Sequence, residues 1–142
     1  MHMEALNVGL VDEVLFNLVL LEDSVFAGFP SPADEHLNQK LDLNEHLIKH
    51  PESTYFVKVY GDSMVNAGIH SGDILIVDRS LEPVDNRIVI ACINGDLYVK
   101  RIRTIEGNVY LIPENENYGP IRVTPEMDFE VWGVVIHVIH SL

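Results

Sequence analysis

From Thr54 to the C-terminus, runs rich in Val, Ile, Tyr and Phe recur between turn residues. That pattern predicts strands over 54–60, 73–78, 87–93, 96–103, 108–112 and 129–140. Asn94-Gly95, set between two such runs, is a strong two-residue hairpin signal, because both residue types tolerate the positive φ the turn needs. Glu106-Gly107-Asn108 marks a second turn. The last run is apolar on both alternating faces. Strict alternation puts Phe129, Val131 and Val135 on one side and Trp132, Val134 and Ile136 on the other. A strand at a sheet surface has one polar face, so this one should be buried on both, inside the body or against a second copy.

The first third of the chain follows a different rhythm. Residues 34–50 read as helix, with Asp42 able to cap a short stretch, Glu45 three residues on and Pro51 as the stop. Leu43, Leu47 and Ile48 would form its buried face. Residues 27–33 carry Gly28, Pro30 and Pro32, which predicts an extended, accessible linker. Ahead of it, Val11, Val14, Leu15, Leu18 and Leu21 follow helical spacing, although β-branched residues oppose a helix there. The apolar side of this arm needs a cover from the body, a second copy or a partner. The expected architecture is mainly β: a small, largely antiparallel body over 28–142, a short helix, and an extended N-terminal arm over 1–27.

A chain of 142 residues suits one domain, and 47% apolar residues are enough for its core. The formal net charge of −13 argues against direct nucleic-acid binding, which needs clustered Lys and Arg. Any link to DNA should run through a protein partner. The lone Cys92 sits in an apolar run, reads as a small core residue, and rules out an internal disulfide. The run from Val14 to Leu21 is preceded by Glu4, Asp12 and Glu13 with no Lys or Arg, unlike a signal peptide. It is also far shorter than the ~20 residues that span a bilayer. A cytoplasmic protein without membrane contact is expected.

Two residues carry the candidate chemistry. Ser63, in Gly61-Asp62-Ser63-Met64, falls in a turn just after the strand at 54–60. Backbone N–H groups after such a turn can point at a developing oxyanion. Lys100 stands mid-strand between Tyr98 and Ile102 on one face, where loss of solvent would lower its pKa. A useful base near neutral pH needs a shift of roughly 2–3 units from about 10.4. A lysine so tuned can deprotonate a serine. Taken singly, each is more often bland, a solvated turn serine and a surface strand lysine; Lys58, also mid-strand, is the ordinary case. His46 and His50 at helical i, i+4 spacing could bind a metal, but neither they nor His2, His36, His70, His137 and His140 match a zinc-protease pattern. No Gly-rich phosphate loop is present.

These pieces occur together in one known group. The chain resembles the UmuD-type proteins of the LexA/UmuD self-cleaving Ser–Lys peptidase family, from about Phe26 to Val138. The matching segments are Ala27-Gly28-Phe29-Pro30-Ser31-Pro32-Ala33, Thr54-Tyr55-Phe56-Val57-Lys58, Gly61-Asp62-Ser63-Met64 and Gly72-Asp73-Ile74-Leu75-Ile76-Val77-Asp78. Val99-Lys100, Leu111-Ile112-Pro113 and Val131-Trp132-Gly133-Val134-Val135-Ile136 complete the match. LexA-like repressors add an N-terminal DNA-binding domain, which the 26 residues before Ala27 are too few to form.

The resemblance implies that Ser63 is the nucleophile, Lys100 the general base and Ala27–Gly28 the scissile bond. It further implies an oxyanion site at the backbone N–H groups of Ser63 and Met64, and no metal or cofactor. In the group, the cut protein serves an error-prone translesion polymerase of the UmuC type as a homodimer. A RecA filament on single-stranded DNA stimulates the cut. The competing expectation is a dimeric module that regulates the polymerase without cutting.

Overall fold

The computed structural model describes residues 2–7, 17–21 and 37–142, with side chains from residue 41 onward. The strands are β1 (His2–Asn7), β2 (Asn17–Leu21), β3 (Leu37–Asp42), β4 (Thr54–Tyr60), β5 (Ile74–Asp78) and β6 (Ile88–Ile93), continuing with β7 (Asp96–Ile105), β8 (Asn108–Ile112), β9 (Ile121–Arg122) and β10 (Phe129–Ile139). The one α-helix among the described residues is α1 (Leu43–Leu47). The chain divides into two compact units, Met1–Val11 with His50–Leu142, and Asp12–Lys49.

The larger unit holds an antiparallel sheet in the order β1-β4-β5-β10-β6-β7-β8-β9. The six strands expected from the pattern are all present, within two residues at each end. β1 and β9 are additions. The hairpin joining β6 and β7 turns at Asn94 (φ 49°) and Gly95 (φ 87°), the left-handed backbone its sequence foretold. Asn94 also ties this turn to the start of β10, donating its N–H to the Asp128 carbonyl at 2.8 Å and accepting from the Asp128 N–H at 3.0 Å.

Alternation along the central strands serves two cores. Ile90 joins Tyr55, Val57, Val59, Met64, Ile69, Leu75, Val77 and Val99. Val89, Ala91 and Ile93 join Ile102, Leu111 and Val134. Each fully buried aliphatic side chain contributes roughly 1.5–3 kcal/mol relative to exposure.

In β10 the expected face assignment is corrected. Val134 packs with Phe129 and Val131, while Val135 packs with Trp132. The cause is a register shift between Val131 and Gly133, which inserts a residue and reverses the alternation. Gly133 has φ +156°, and a Cβ there would lie 2.6 Å from Val77 Cγ1 and 3.2 Å from the Asp78 carbonyl oxygen. Only glycine fits. The strand is enclosed on both faces through Val131–Val135, within the body, but its end opens out, with Val138 37% and Ile139 44% exposed.

In the smaller unit, β2 pairs antiparallel with β3. The helix expected over 34–50 is therefore corrected: Leu37–Asp42 is strand, and helix covers only Leu43–Leu47. A cross-strand partner outweighs the modest helical preference of Leu, Gln and Lys in this stretch. Asp42 caps this short helix as its sequence position predicts, its Oδ1 accepting from the Asn44 N–H at 2.9 Å. Leu43 and Leu47 are half-buried and Ile48 is buried. Leu18 and Leu21, placed on a helical stripe by spacing, lie in β2; the rest of that stripe and the linker at 27–33 fall outside the described residues.

Candidate catalytic site

The segment between β4 and β5 folds back on itself. Gly61 (φ 104°), Gly68 (φ 81°) and Gly72 (φ 90°) supply backbone that side-chain-bearing residues rarely adopt. The Gly72 N–H donates to the Val59 carbonyl at 2.6 Å, and the Gly61 N–H to Ser71 Oγ at 3.1 Å. A short 3-10 turn, Val65–Ala67, sits at the centre, and the Ala67 and Ile69 N–H groups both reach the Met64 carbonyl. Met64 and Ile69 are fully buried and anchor the loop to the core. Ser63, just before the Met64 plug, is held at the body's interior and is 0% exposed. The solvated turn serine is thereby excluded. The N–H donors that find a carbonyl are those of Val65, Asn66, Ala67, Gly68 and Ile69. Those of Ser63 and Met64 reach no acceptor among the described residues.

Lys100 comes from the middle of β7, opposite Val89 of β6. Its Nζ lies 3.1 Å from Ser63 Oγ, and the residue is 5% exposed. Burial of the ammonium lowers its pKa below the usual lysine value. In the neutral form, the Nζ lone pair can accept the serine proton. The two residues that a sequence reader had to weigh separately are thus in hydrogen-bond contact.

A second loop, at 114–118, clasps the serine turn, and sequence reasoning did not foresee it. The Asn66 N–H donates to the Glu114 carbonyl at 3.0 Å. Asn115 Nδ2 donates to the Asp62 carbonyl at 2.8 Å, and the Tyr118 hydroxyl to Asp62 Oδ1 at 2.5 Å. The hydrogen bond to Asp62, with that carboxylate's charge, raises the Tyr118 pKa. The Tyr118 ring centroid is 5.8 Å from Lys100 Nζ. A ring face favours the ammonium form, so Tyr118 opposes burial in setting the lysine's proton. The other end of the clasp is fixed by an ion pair between Arg101 Nε and Glu114 Oε1. The only advance signal was the turn-rich string Asn115-Glu116-Asn117-Tyr118-Gly119-Pro120.

Of the remaining candidates, Met64 stands beside Ser63, and Ala27 and Gly28 lie outside the described residues. The i, i+4 pairing of His46 with His50 is corrected, because α1 ends at Leu47 and His50 is beyond it. His50 instead meets Asp78, Nδ1 to Oδ2 at 2.6 Å. Cys92 is half-buried and not a core residue. Lys58, the ordinary mid-strand lysine, is also half-buried, with Nζ 5.7 Å from the Tyr60 ring centroid.

The Peptidase S24-like family model matches residues 19–136, which takes in Ser63, Lys100 and the Ala27–Gly28 segment. The chain belongs to the Peptidase S24-like family. Within it, Protein MucA of Salmonella typhimurium is 42% identical over 114 residues, covering 80% of this chain and 77% of that protein. Protein ImpA of Escherichia coli is 39% identical over 127 residues, 85% of this chain and 82% of that one. The LexA repressor of Paracidovorax citrulli is 37% identical over 117 residues, which is 82% of this chain but 52% of the repressor. This S24-like chain thus spans about half of the repressor and most of the shorter relatives. It is a UmuD-type member of the LexA/UmuD group of serine peptidases. Among the described residues, no helix is long and apolar enough to cross a membrane.

Proposed function

We propose that this chain is a self-cleaving serine peptidase that cuts its own Ala27–Gly28 bond with Ser63 as nucleophile and Lys100 as general base. The observation that carries this reading is the buried 3.1 Å contact between Lys100 Nζ and Ser63 Oγ. Among the described residues no carboxylate pairs with the buried Lys100 to hold its charge, which favours the neutral amine that a base requires.

The chemistry follows from those two groups. Neutral Lys100 takes the Ser63 proton as Oγ attacks the Ala27 carbonyl carbon. The N–H groups of Ser63 and Met64, which reach no acceptor among the described residues, are available to the developing oxyanion. The protonated Lys100 then gives its proton to the Gly28 nitrogen as the C–N bond breaks, leaving an ester between Ser63 and Ala27. Water, deprotonated by Lys100, hydrolyses the ester and frees the Ala27 carboxylate. Because the target is tethered, its effective concentration reaches about 10⁵–10⁸ M when well oriented. Cutting therefore depends on how often the linker adopts the reactive pose.

In this reading the cut chain is a homodimeric accessory subunit of a UmuC-type error-prone translesion polymerase in the SOS response to DNA damage. A RecA filament on single-stranded DNA promotes the cleavable pose. The chain acts in the cytoplasm through protein partners, consistent with its net charge of −13.

The test is direct. Purified chain held at mildly alkaline pH should slowly be cut between Ala27 and Gly28, as a denaturing gel would show by loss of the full-length band, faster with a RecA filament present. Ser63→Ala and Lys100→Ala should each stop the loss. Full-length protein that persists under both conditions would overturn the reading and leave a non-cutting dimeric module that regulates the polymerase.

A further inference from the structure

The first strand of the arm is paired across the bond the chain would cut. β1 runs antiparallel to β4, with His2 opposite Tyr60, Met3 opposite Val59, Glu4 opposite Lys58 and Asn7 opposite Phe56. β2 pairs in the same way with β3 (Leu37–Asp42), within the other unit. Both described strands within residues 1–27 therefore find their partners beyond residue 28. Neither pairs with the other. A fragment 1–27 that left after cutting would abandon both ladders and return every ladder N–H and C=O to water, on itself and on the body.

The edge it would vacate is specific. β4 is paired with β5 on its inner side, and β1 covers its outer side. An uncovered edge strand offers a row of free donors and acceptors to any extended chain. The register also matches charge, since Glu4 stands opposite Lys58 in a chain with 22 acidic residues and only nine Lys and Arg.

From this pairing we propose that the outer edge of β4 is a docking site for an extended strand, that residues 2–7 are its occupant, and that the cut arm stays bound there as a separate peptide. The consequence rests on the self-cleavage reading; the docking site does not. Cutting then makes a nicked complex, and the trimmed form arises by strand exchange. The incoming partner is an extended segment with a carboxylate placed opposite Lys58.

The experiment separates the two ideas by cutting from outside. A Ser63→Ala chain, with an external protease's recognition sequence placed across Ala27–Gly28, is nicked to completion. It is then passed over a size-exclusion column at micromolar concentration, and the body peak is weighed by mass spectrometry. The fragment should elute with the body. A Met3→Pro/Glu4→Pro variant removes two adjacent N–H groups, one of which must face β4, because alternate residues point opposite ways. In that variant, half-retention should need about tenfold higher protein concentration, or more. A fragment that elutes alone from the parent, or a double variant that retains it equally well, would overturn the proposal. Neither result bears on whether Ser63 cuts, so failure of self-cleavage is read separately.

Discussion

Among the described residues a serine meets a possible base in two places, and the proposed function gives only one of them a catalytic role. At the first, Ser63 faces Lys100 in the interior, and no other side chain among the described residues bonds to its hydroxyl. At the second, Ser80, His50 and Asp78 bring together the residue types of a catalytic triad. There, His50 Nδ1 meets both Asp78 Oδ2 at 2.6 Å and Ser80 Oγ at 3.2 Å. A relay needs the serine on one ring nitrogen and the carboxylate on the other. One nitrogen cannot donate to the acid and accept from the alcohol at once. The Ser80 hydroxyl instead donates to Asp78 Oδ1 at 2.6 Å, as does that of Ser53 at 2.9 Å. Burial alone would raise the Asp78 carboxyl, but hydrogen bonds from Ser80, His50 and Ser53 hold it down at about 2. So weak a base cannot activate an alcohol. This cluster ties the end of β5 to the turn before β4. The lesson is that residue types in contact do not make a site; what decides is which atom holds the proton and how readily it gives it up.

The comparison can be broken most easily by rate. Ser63→Ala should slow self-cleavage by about 10³-fold or more, whereas Ser80→Ala and His50→Ala should stay within about twofold. Gel densitometry of the full-length band over time distinguishes them, and equal losses at both serines would erase the contrast.

Stability should show the reverse order. Asp78→Asn weakens a buried acceptor of several hydrogen bonds, so urea unfolding should show a loss of about 1–3 kcal/mol. Lys100→Met removes a desolvated amine and should be neutral or stabilising. A large loss on Lys100→Met would make that lysine a structural element.

The two sites also respond to opposite ends of the pH scale. Asp78 titrates lower in the folded chain, at about 2, than its ordinary 3.8. Its contribution is therefore complete above the ordinary value and lost as pH falls through the folded one. Lys100 is lowered from 10.5, so between its folded value and 10.5 the unfolded chain binds more protons. Its cost to stability is relieved as pH rises through that window, whereas self-cleavage should accelerate as pH rises toward the folded value and level off above it. Melting curves from pH 2 to 5 on parent and Asp78→Asn, and cleavage rates from pH 7 to 10, test each limb. A cleavage rate that is flat with pH would remove Lys100 as the base.

The smallest expected effect concerns the clasp. Tyr118→Phe keeps the ring near Lys100 but removes the hydroxyl bonded to Asp62. Cleavage should slow by about threefold, because the bond is exposed and reaches Ser63 only through the turn. An effect as large as that of Ser63→Ala would place Tyr118 in the chemistry itself.

Much of this could be read from the sequence because the informative residues sit in regular contexts. Lys100 lies in a strand whose hairpin turn is signalled by Asn94-Gly95, and Ser63 follows a strand that ends at a glycine. Their meeting spans 37 residues and emerged only through family resemblance. The Asp62–Tyr118 bond spans 56 residues between two loops, where no periodicity points to a partner. β3 was misread because its residues tolerate either state and only pairing with β2 decides between them. β1 carries the mixed string His2-Met3-Glu4-Ala5-Leu6-Asn7, which alternates poorly and takes its shape from the β4 edge.

The bulge at Gly133 has a consequence for how the body comes apart. One strand feeds Phe129, Val131 and Val134 into one cluster and Trp132 and Val135 into the other. Neither cluster can melt while β10 stays in place, and β10 cannot leave without opening both. The two cores are therefore one cooperative unit. The chain's single tryptophan, at the crossing point with its carbonyl held by the Tyr55 hydroxyl, should report the loss of both in a single transition.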